Sequence, residues 1–211
     1  MDYRTIVAVG LLLAQAPLDV QGVLARIERR YNTPKTMQIR FEQSFRGAGS
    51  PARRENGILY LRKPGKMRWE YRYPEGKLFV SDGALVWVYD PAEGVAERGK
   101  LKGSDDLRAP LAFLMGRLDF RRDFERFAAE AEGENVRVKA VPKSKTSPYR
   151  EVQFTVSPRG ELTQVAVTGQ DASVMNFKFS DEQLNPALAD RLFTFQPPPG
   201  ARVVDAPEEG R

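Results

Sequence analysis

The sequence predicts a mainly β protein of the α+β class. About ten or eleven antiparallel strands, joined by short turns, either close into a barrel or curl into a strongly curved sheet whose concave face is covered by short helices. Three observations lead there. Residues 57–91 hold three or four strands in succession, among them the alternating run Met67, Trp69, Tyr71, Tyr73. From Phe124 onward, turn signals such as Ser157-Pro158-Arg159-Gly160 and Gly169-Gln170-Asp171 divide strand from strand. Only three segments carry helical patterning, too few for a second layer but enough to plug a half-barrel, which leaves an apolar space between helices and sheet.

Taken in order, residues 1–16 resemble a secretory signal peptide: Arg4, an apolar run from Ile6 to Ala14, and Ala14-Gln15-Ala16 at the end. The run is shorter than the ~20 residues of a membrane span. Residues 17–205 then form one domain, and 206–211 a disordered tail. Asp19 can cap a helix over 20–31 whose stripe is Val20, Val23, Leu24, Ile27 and Tyr31, ending near Thr33-Pro34. Residues 36–46 alternate as a strand, with Met37, Ile39, Phe41 and Phe45 on one face, before the loop 47–51. In the central stretch Met67, Trp69 and Tyr71 oppose Lys66, Arg68, Glu70 and Arg72. Asp82-Gly83 reads as a two-residue hairpin turn with Ser81 opposite Ala84. That register puts Leu78, Val80, Leu85, Trp87 and Tyr89 on one face and Phe79, Val86 and Val88 on the other, both apolar. A weak strand over 95–101 precedes Pro110 and a short helix over 111–118, whose Leu111, Phe113, Leu114 and Met115 are too many for one stripe and imply burial on several sides. Strands are expected near 124–131, 135–141, 149–156, 161–168 and 173–180. By propensity the first could be a helix, but its Glu132-Gly133-Glu134 connection favours a hairpin. Asn185-Pro186 caps a last short helix, and Phe193-Thr194-Phe195 forms a final strand.

Composition narrows the chemistry. The chain has no His and no Cys, which removes Ser-His and Cys-His nucleophile systems, the common zinc and haem ligands, disulfides and any lipid-bearing cysteine. No glycine-rich phosphate loop occurs, and no cofactor is expected. Gly57, Gly83 and Gly160 read as turn glycines. The net charge of +5 comes from 33 basic and 28 acidic residues that are interspersed, which makes a solvated basic face the reading and leaves nucleic acid out of the partners. Carboxylate pairs could serve a glycosidase, although Glu55, Glu70, Glu75, Asp82 and Asp90 each suit an outward strand position or a turn. The candidate site is therefore the apolar space itself. Taking the bulkier strand faces as its lining selects Phe41, Phe45, Met67, Trp69, Tyr71, Leu85, Trp87, Tyr89, Phe177 and Phe179, with Phe113, Leu114 and Met115 from the covering helix. Ordinary core packing is the alternative for each.

The residues also carry a family resemblance. Gly57-Ile58-Leu59-Tyr60-Leu61-Arg62-Lys63-Pro64, Met67 to Tyr71, Val80 to Pro91 and Phe193 to Gly200, with Phe41-Glu42-Gln43 upstream, resemble in order and spacing the LolA family of periplasmic carriers of outer-membrane lipoproteins. The resemblance spans nearly all of 20–205. It implies an unclosed β-barrel, closed over by helices, that holds lipoprotein acyl chains. It also implies a monomer in the periplasm that takes acylated lipoproteins from an inner-membrane lipoprotein-releasing ABC transporter and passes them to a LolB-like outer-membrane acceptor. Family members commonly have an arginine before the strand-ending proline, and the resemblance makes that residue a latch donating to backbone carbonyls of the lid. Here it is Lys63. A lipid- or stress-sensing module on the same fold is the second reading, and a carbohydrate-active enzyme a distant third.

Overall fold

The computed structural model describes residues 18–47, 52–100 and 118–206. Helix α1 (Val20–Asn32) comes first, capped by Asp19, whose carboxylate accepts from the Gly22 amide at 2.9 Å. Val23, Leu24, Ile27 and Tyr31 form its buried stripe. Six strands follow: β1 (Thr36–Arg46), β2 (Arg53–Arg62), β3 (Lys66–Tyr73), β4 (Leu78–Asp82), β5 (Leu85–Asp90) and β6 (Val95–Lys100). A one-turn helix α2 (Phe120–Asp123) leads into β7 (Phe124–Glu132), β8 (Asn135–Pro142), β9 (Tyr149–Val156), β10 (Leu162–Gly169) and β11 (Val174–Leu184). A 3-10 turn (Asp190–Phe193) and β12 (Arg202–Asp205) complete the described chain.

All twelve strands share one sheet, in the order β12-β6-β5-β4-β3-β2-β1-β11-β10-β9-β8-β7. Pairing is antiparallel except between β12 and β6. Neighbours in sequence are mostly neighbours in the sheet, and the β1–β11 pair joins the two halves.

Cross-strand partners define a continuous apolar row. Ile39 faces Leu59, Leu59 faces Trp69, Trp69 faces Phe79, and Phe79 faces Val88. In the other direction Phe41 faces Phe179, Phe177 faces Val165, Val165 faces Phe154, and Phe154 faces Val138. These side chains pack with the α1 stripe, Leu118, Phe120 and Phe124 into one core. We call this surface of the sheet the helix face. The other surface bears a smaller apolar cluster in which Val80, Ala96 and Phe193 are buried. There the chain after β11 is held down by Arg62, which donates to the Asp190 carboxylate and the Leu188 carbonyl and lies 5.0 Å from the centre of the Phe193 ring.

Several expectations need correction. Among the described residues twelve strands form rather than ten or eleven; the addition is β12, a four-residue parallel strand after a proline-rich run that reads locally as loop. Residues 193–195 are no strand, since Phe193 ends the 3-10 turn, and the helix expected from Asn185 is that turn, displaced to Asp190–Phe193. Residues 124–131 do pair as a strand, introduced by α2, which was not anticipated. The β4–β5 register is two residues longer than expected: Ser81 faces Val86, because Asp82 accepts from the Ala84 and Leu85 amides and shapes a four-residue connection. Gly57 lies inside β2, not in a turn. A Cβ there would stand 2.0 Å from the Glu70 carbonyl oxygen, so glycine permits the close approach of β3. The leader over 1–16, most of the loop 47–51, most of the helix over 111–118 and the tail beyond Ala206 lie outside the described residues.

Candidate functional site

The helix face centres on aromatic rings, because alternation along β1, β3 and β11 sends every second side chain to one side. Phe41 and Trp69 meet edge to face at 4.6 Å, Phe41 and Tyr71 at 5.1 Å, and Trp69 lies 5.6 Å from Phe177. Phe177 stacks on Phe179 at 6.0 Å. Trp69 donates its indole N–H to the Met67 sulfur at 3.0 Å. Phe41, Trp69, Phe177 and Met67 are fully buried, Tyr71 nearly so, while Phe45 and Phe179 are partly exposed at the margin.

Helix α1 packs its buried stripe into the same core as these rings and is fastened at its C-terminal end. The Lys63 ammonium, at the end of β2, donates to the carbonyl of Tyr31 in the last turn of α1. Burial holds the Lys63 pKa below that of an ordinary lysine. The Tyr31 side chain is held from another side: its hydroxyl donates to Glu182 at 2.5 Å and accepts from the Leu162 amide at 2.9 Å. Burial first, and the neighbouring Glu182 carboxylate second, push its pKa far above the usual phenol range. Arg30 bonds Glu182 through Nε at 2.8 Å and Glu161 through Nη2 at 3.1 Å. Asn32 exchanges two hydrogen bonds with the backbone of Leu118, at 2.8 and 2.7 Å, and Glu28 accepts from the Phe120 amide at 2.9 Å. The helix is thus tied to both halves of the sheet by polar contacts and packs on it by apolar ones.

The structure gathers most of the residues selected for the site, but not all. Phe41, Phe45, Met67, Trp69, Tyr71, Phe177 and Phe179 share the helix face. Leu85, Trp87 and Tyr89 do not. Met67 faces Ser81 and Ser81 faces Val86, so Val86 and Val88 point to the helix face and the bulkier alternates point away. Trp87 and Tyr89 instead pack against Phe195, each at 5.6 Å, and Leu85 is exposed. Bulk misled because the opposite face has its own cover. Phe113, Leu114 and Met115 lie outside the described residues. Sequence reasoning missed Gln43, Glu55 and Lys77, which join Tyr71 on the helix face, and the Tyr31–Glu182–Arg30 fastening. Gln43 was visible in principle, as the polar member of the row Met37, Ile39, Phe41, Phe45. Glu182 carried no local signal, since a residue 151 positions away supplies its partner.

Nothing in this constellation is poised for bond chemistry. Among the described residues no group of three acidic or metal-binding side chains could hold an ion. What the arrangement offers is a large aromatic surface in one core with a helix whose polar ties gather at its C-terminal half. The family model of the outer membrane lipoprotein carrier protein LolA matches residues 32–196. The chain belongs to the LolA family. A LolA relative, the outer-membrane lipoprotein carrier protein of Nitrosomonas europaea, is 28% identical over 203 residues, covering 94% of this chain and 96% of its own. That of Pseudomonas aeruginosa is 32% identical over 202 residues and 93% of each chain. A solved structure of an uncharacterized conserved protein from Thermus thermophilus shares the fold, with a TM-score of 0.52 at 14% identity over 90% of this chain and all of that one. LolA carriers are periplasmic and non-enzymatic.

Proposed function

We propose that this chain carries lipoproteins across the periplasm with their acyl chains laid between α1 and the aromatic helix face, around which the sheet curves as an unclosed barrel. The observation that carries the reading is the contact of Lys63 with the Tyr31 carbonyl: beside the Tyr31, Arg30 and Asn32 side-chain bonds, it is the tie between the last turn of α1 and the β2 edge of the aromatic surface. Curvature is supported by dimensions. Buried helix-face residues run from β5 to β7, ten strands or about 43 Å at ~4.8 Å per spacing, whereas the 13 residues of α1 are about 20 Å long. In this reading residues 1–16 direct export and are removed, and 17–205 fold as one monomeric domain. Cargo comes from an inner-membrane ABC transporter that releases lipoproteins and goes to a LolB-like acceptor.

Energetics bound the mechanism. Each buried CH₂ contributes ~0.8 kcal/mol. Three enclosed acyl chains would thus exceed the practical ceiling of about 20 kcal/mol for non-covalent binding. Release requires that part of this gain be offset, and displacing α1 from the aromatic face supplies the offset. Mass spectrometry of an organic extract of the protein purified from periplasm tests the reading. Acylated protein or phospholipid is expected; an extract with nothing apolar overturns it.

A further inference from the structure

One polar cluster interrupts the helix face. Gln43 continues the row of Met37, Ile39, Phe41 and Phe45, and is itself buried. Its amide donates to Glu55 at 2.9 Å, and its amide oxygen lies 3.5 Å from the Tyr71 hydroxyl. The Glu55 carboxylate also takes the Lys77 ammonium at 2.5 Å, and that ammonium stands 4.9 Å from the centre of the Tyr71 ring. The Glu55 and Lys77 side chains are only 12% and 18% exposed.

Stability does not call for these groups. An ion pair and an amide taken out of water lose hydration that their mutual contacts roughly repay, and apolar side chains of the same size would pack there at least as well. Their position points to a ligand. The end of the helix face near Lys63 is sealed, with Met37, Leu61 and Met67 fully buried, whereas the end bearing the cluster is margined by the partly exposed Phe45 and lies beyond the aromatic floor. An acylated peptide that slides its chains onto the aromatic floor from this margin leaves its ester and amide carbonyls at the cluster. Those carbonyls accept hydrogen bonds and have none to give, and Gln43 and Lys77 present N–H donors.

We propose that Gln43, Glu55 and Lys77 form a subsite for the ester and amide head of the acylated cargo, which rests on the carrier reading above. The head carbonyls take N–H donors of Gln43 and Lys77, while Glu55 keeps both side chains turned toward the site. The subsite thereby separates a lipopeptide from a bare hydrocarbon, which the aromatic floor alone cannot do.

The test compares two probes on the full chain: a synthetic triacylated cysteinyl peptide and an uncharged alkyl fluorophore without ester or amide groups. Gln43→Leu keeps volume and leaves the Glu55–Lys77 pair intact. A paired Glu55→Gln, Lys77→Met variant removes both charges together, so that neither is stranded. Each is expected to bind the lipopeptide about tenfold more weakly, the value of one lost hydrogen bond of ~1.4 kcal/mol, and to bind the alkyl probe as wild type does. Circular dichroism confirms the fold of each variant. Unchanged lipopeptide affinity in both variants, or equal losses for both probes, overturns the subsite while leaving the carrier reading intact. Failure of the wild type to bind the lipopeptide overturns both.

Discussion

Tyr31 is fastened twice, by its backbone carbonyl to Lys63 and by its side chain to Glu182 and the Leu162 amide, so the two fastenings of α1 can be tested apart. A lysine ammonium is a flexible point donor without the planar fork of arginine, and it is desolvated where it stands. Lys63→Arg should hold α1 more firmly and release cargo more readily. Lys63→Leu, with no donor, should bind lipopeptide at least as well as wild type but hand it on poorly. Transfer from loaded carrier to acceptor, timed for all three proteins, decides; equal rates would reduce Lys63 to a strand-end lysine. Tyr31 makes a prediction in pH. Its pKa is raised from an ordinary 10.0, so its contribution to stability is fully present below that value and is lost as the pH climbs from there toward the folded value. Lys63 has the opposite sign: its pKa is lowered from 10.5, so the penalty of burying its charge is relieved as the pH rises toward 10.5. Tyr31→Phe should therefore cost about 1–3 kcal/mol at neutral pH, through the Leu162 amide left without its partner and Glu182 left with Arg30 alone, and should lose less stability than wild type between pH 9 and 11. Urea unfolding across that range measures it, and parallel pH profiles would refute it.

Strands were readable where one face is plainly polar and ambiguous where neither is. In β1 and β3 the alternation of apolar and charged residues identified the buried side, and Met37, Ile39, Phe41, Met67, Trp69 and Tyr71 are buried as the pattern requires. Tyr73 continues that pattern but is exposed, because the pairing steps from Gly57–Tyr71 to Asn56–Tyr73, which makes Arg72 an extra residue in β3 and turns Tyr73, with Asn56, to the opposite face. In β5 both faces are apolar, so alternation could say which residues go together and not which way they point. The missing information was long-range: Phe193 and Phe195, more than 100 residues away, cover the side that carries Trp87 and Tyr89. For the same reason Lys63 was singled out only through the family resemblance, and its acceptor on Tyr31 could not be read from spacing alone. The two tryptophans consequently separate the faces. Adding lipopeptide to delipidated protein should change the fluorescence of a Trp87→Phe variant, in which only Trp69 emits, and leave that of Trp69→Phe nearly unaltered. A response confined to Trp87 would move the lipid to the other face.

At the scale of the molecule, the proposed carrier reading lays the acyl chains on the surface that α1 packs against, which makes binding a competition between two apolar partners for one aromatic floor. Ile27 of α1 and Phe41 of β1 are both fully buried in the core that α1 shares with the helix face. Truncating either leaves a cavity in the closed protein, at about 2–5 kcal/mol for Ile→Ala and 3–5 kcal/mol for Phe→Ala. Their effects on cargo should nevertheless have opposite signs. Ile27→Ala weakens only the closed state, which lowers the work of displacing the helix and raises the apparent affinity for lipopeptide. Phe41→Ala weakens the closed state too, but it also removes floor that the acyl chains would cover, and at ~25 cal/mol per Å² of apolar area that loss is felt in the loaded state as well. Thermal unfolding of the two variants should therefore show comparable destabilisation, while titration with the triacylated peptide shows tighter binding for Ile27→Ala than for wild type and no such gain for Phe41→Ala. Weaker binding by both would mean that α1 contributes contacts to the cargo instead of competing with it, and the helix would then be a wall of the site and not its lid.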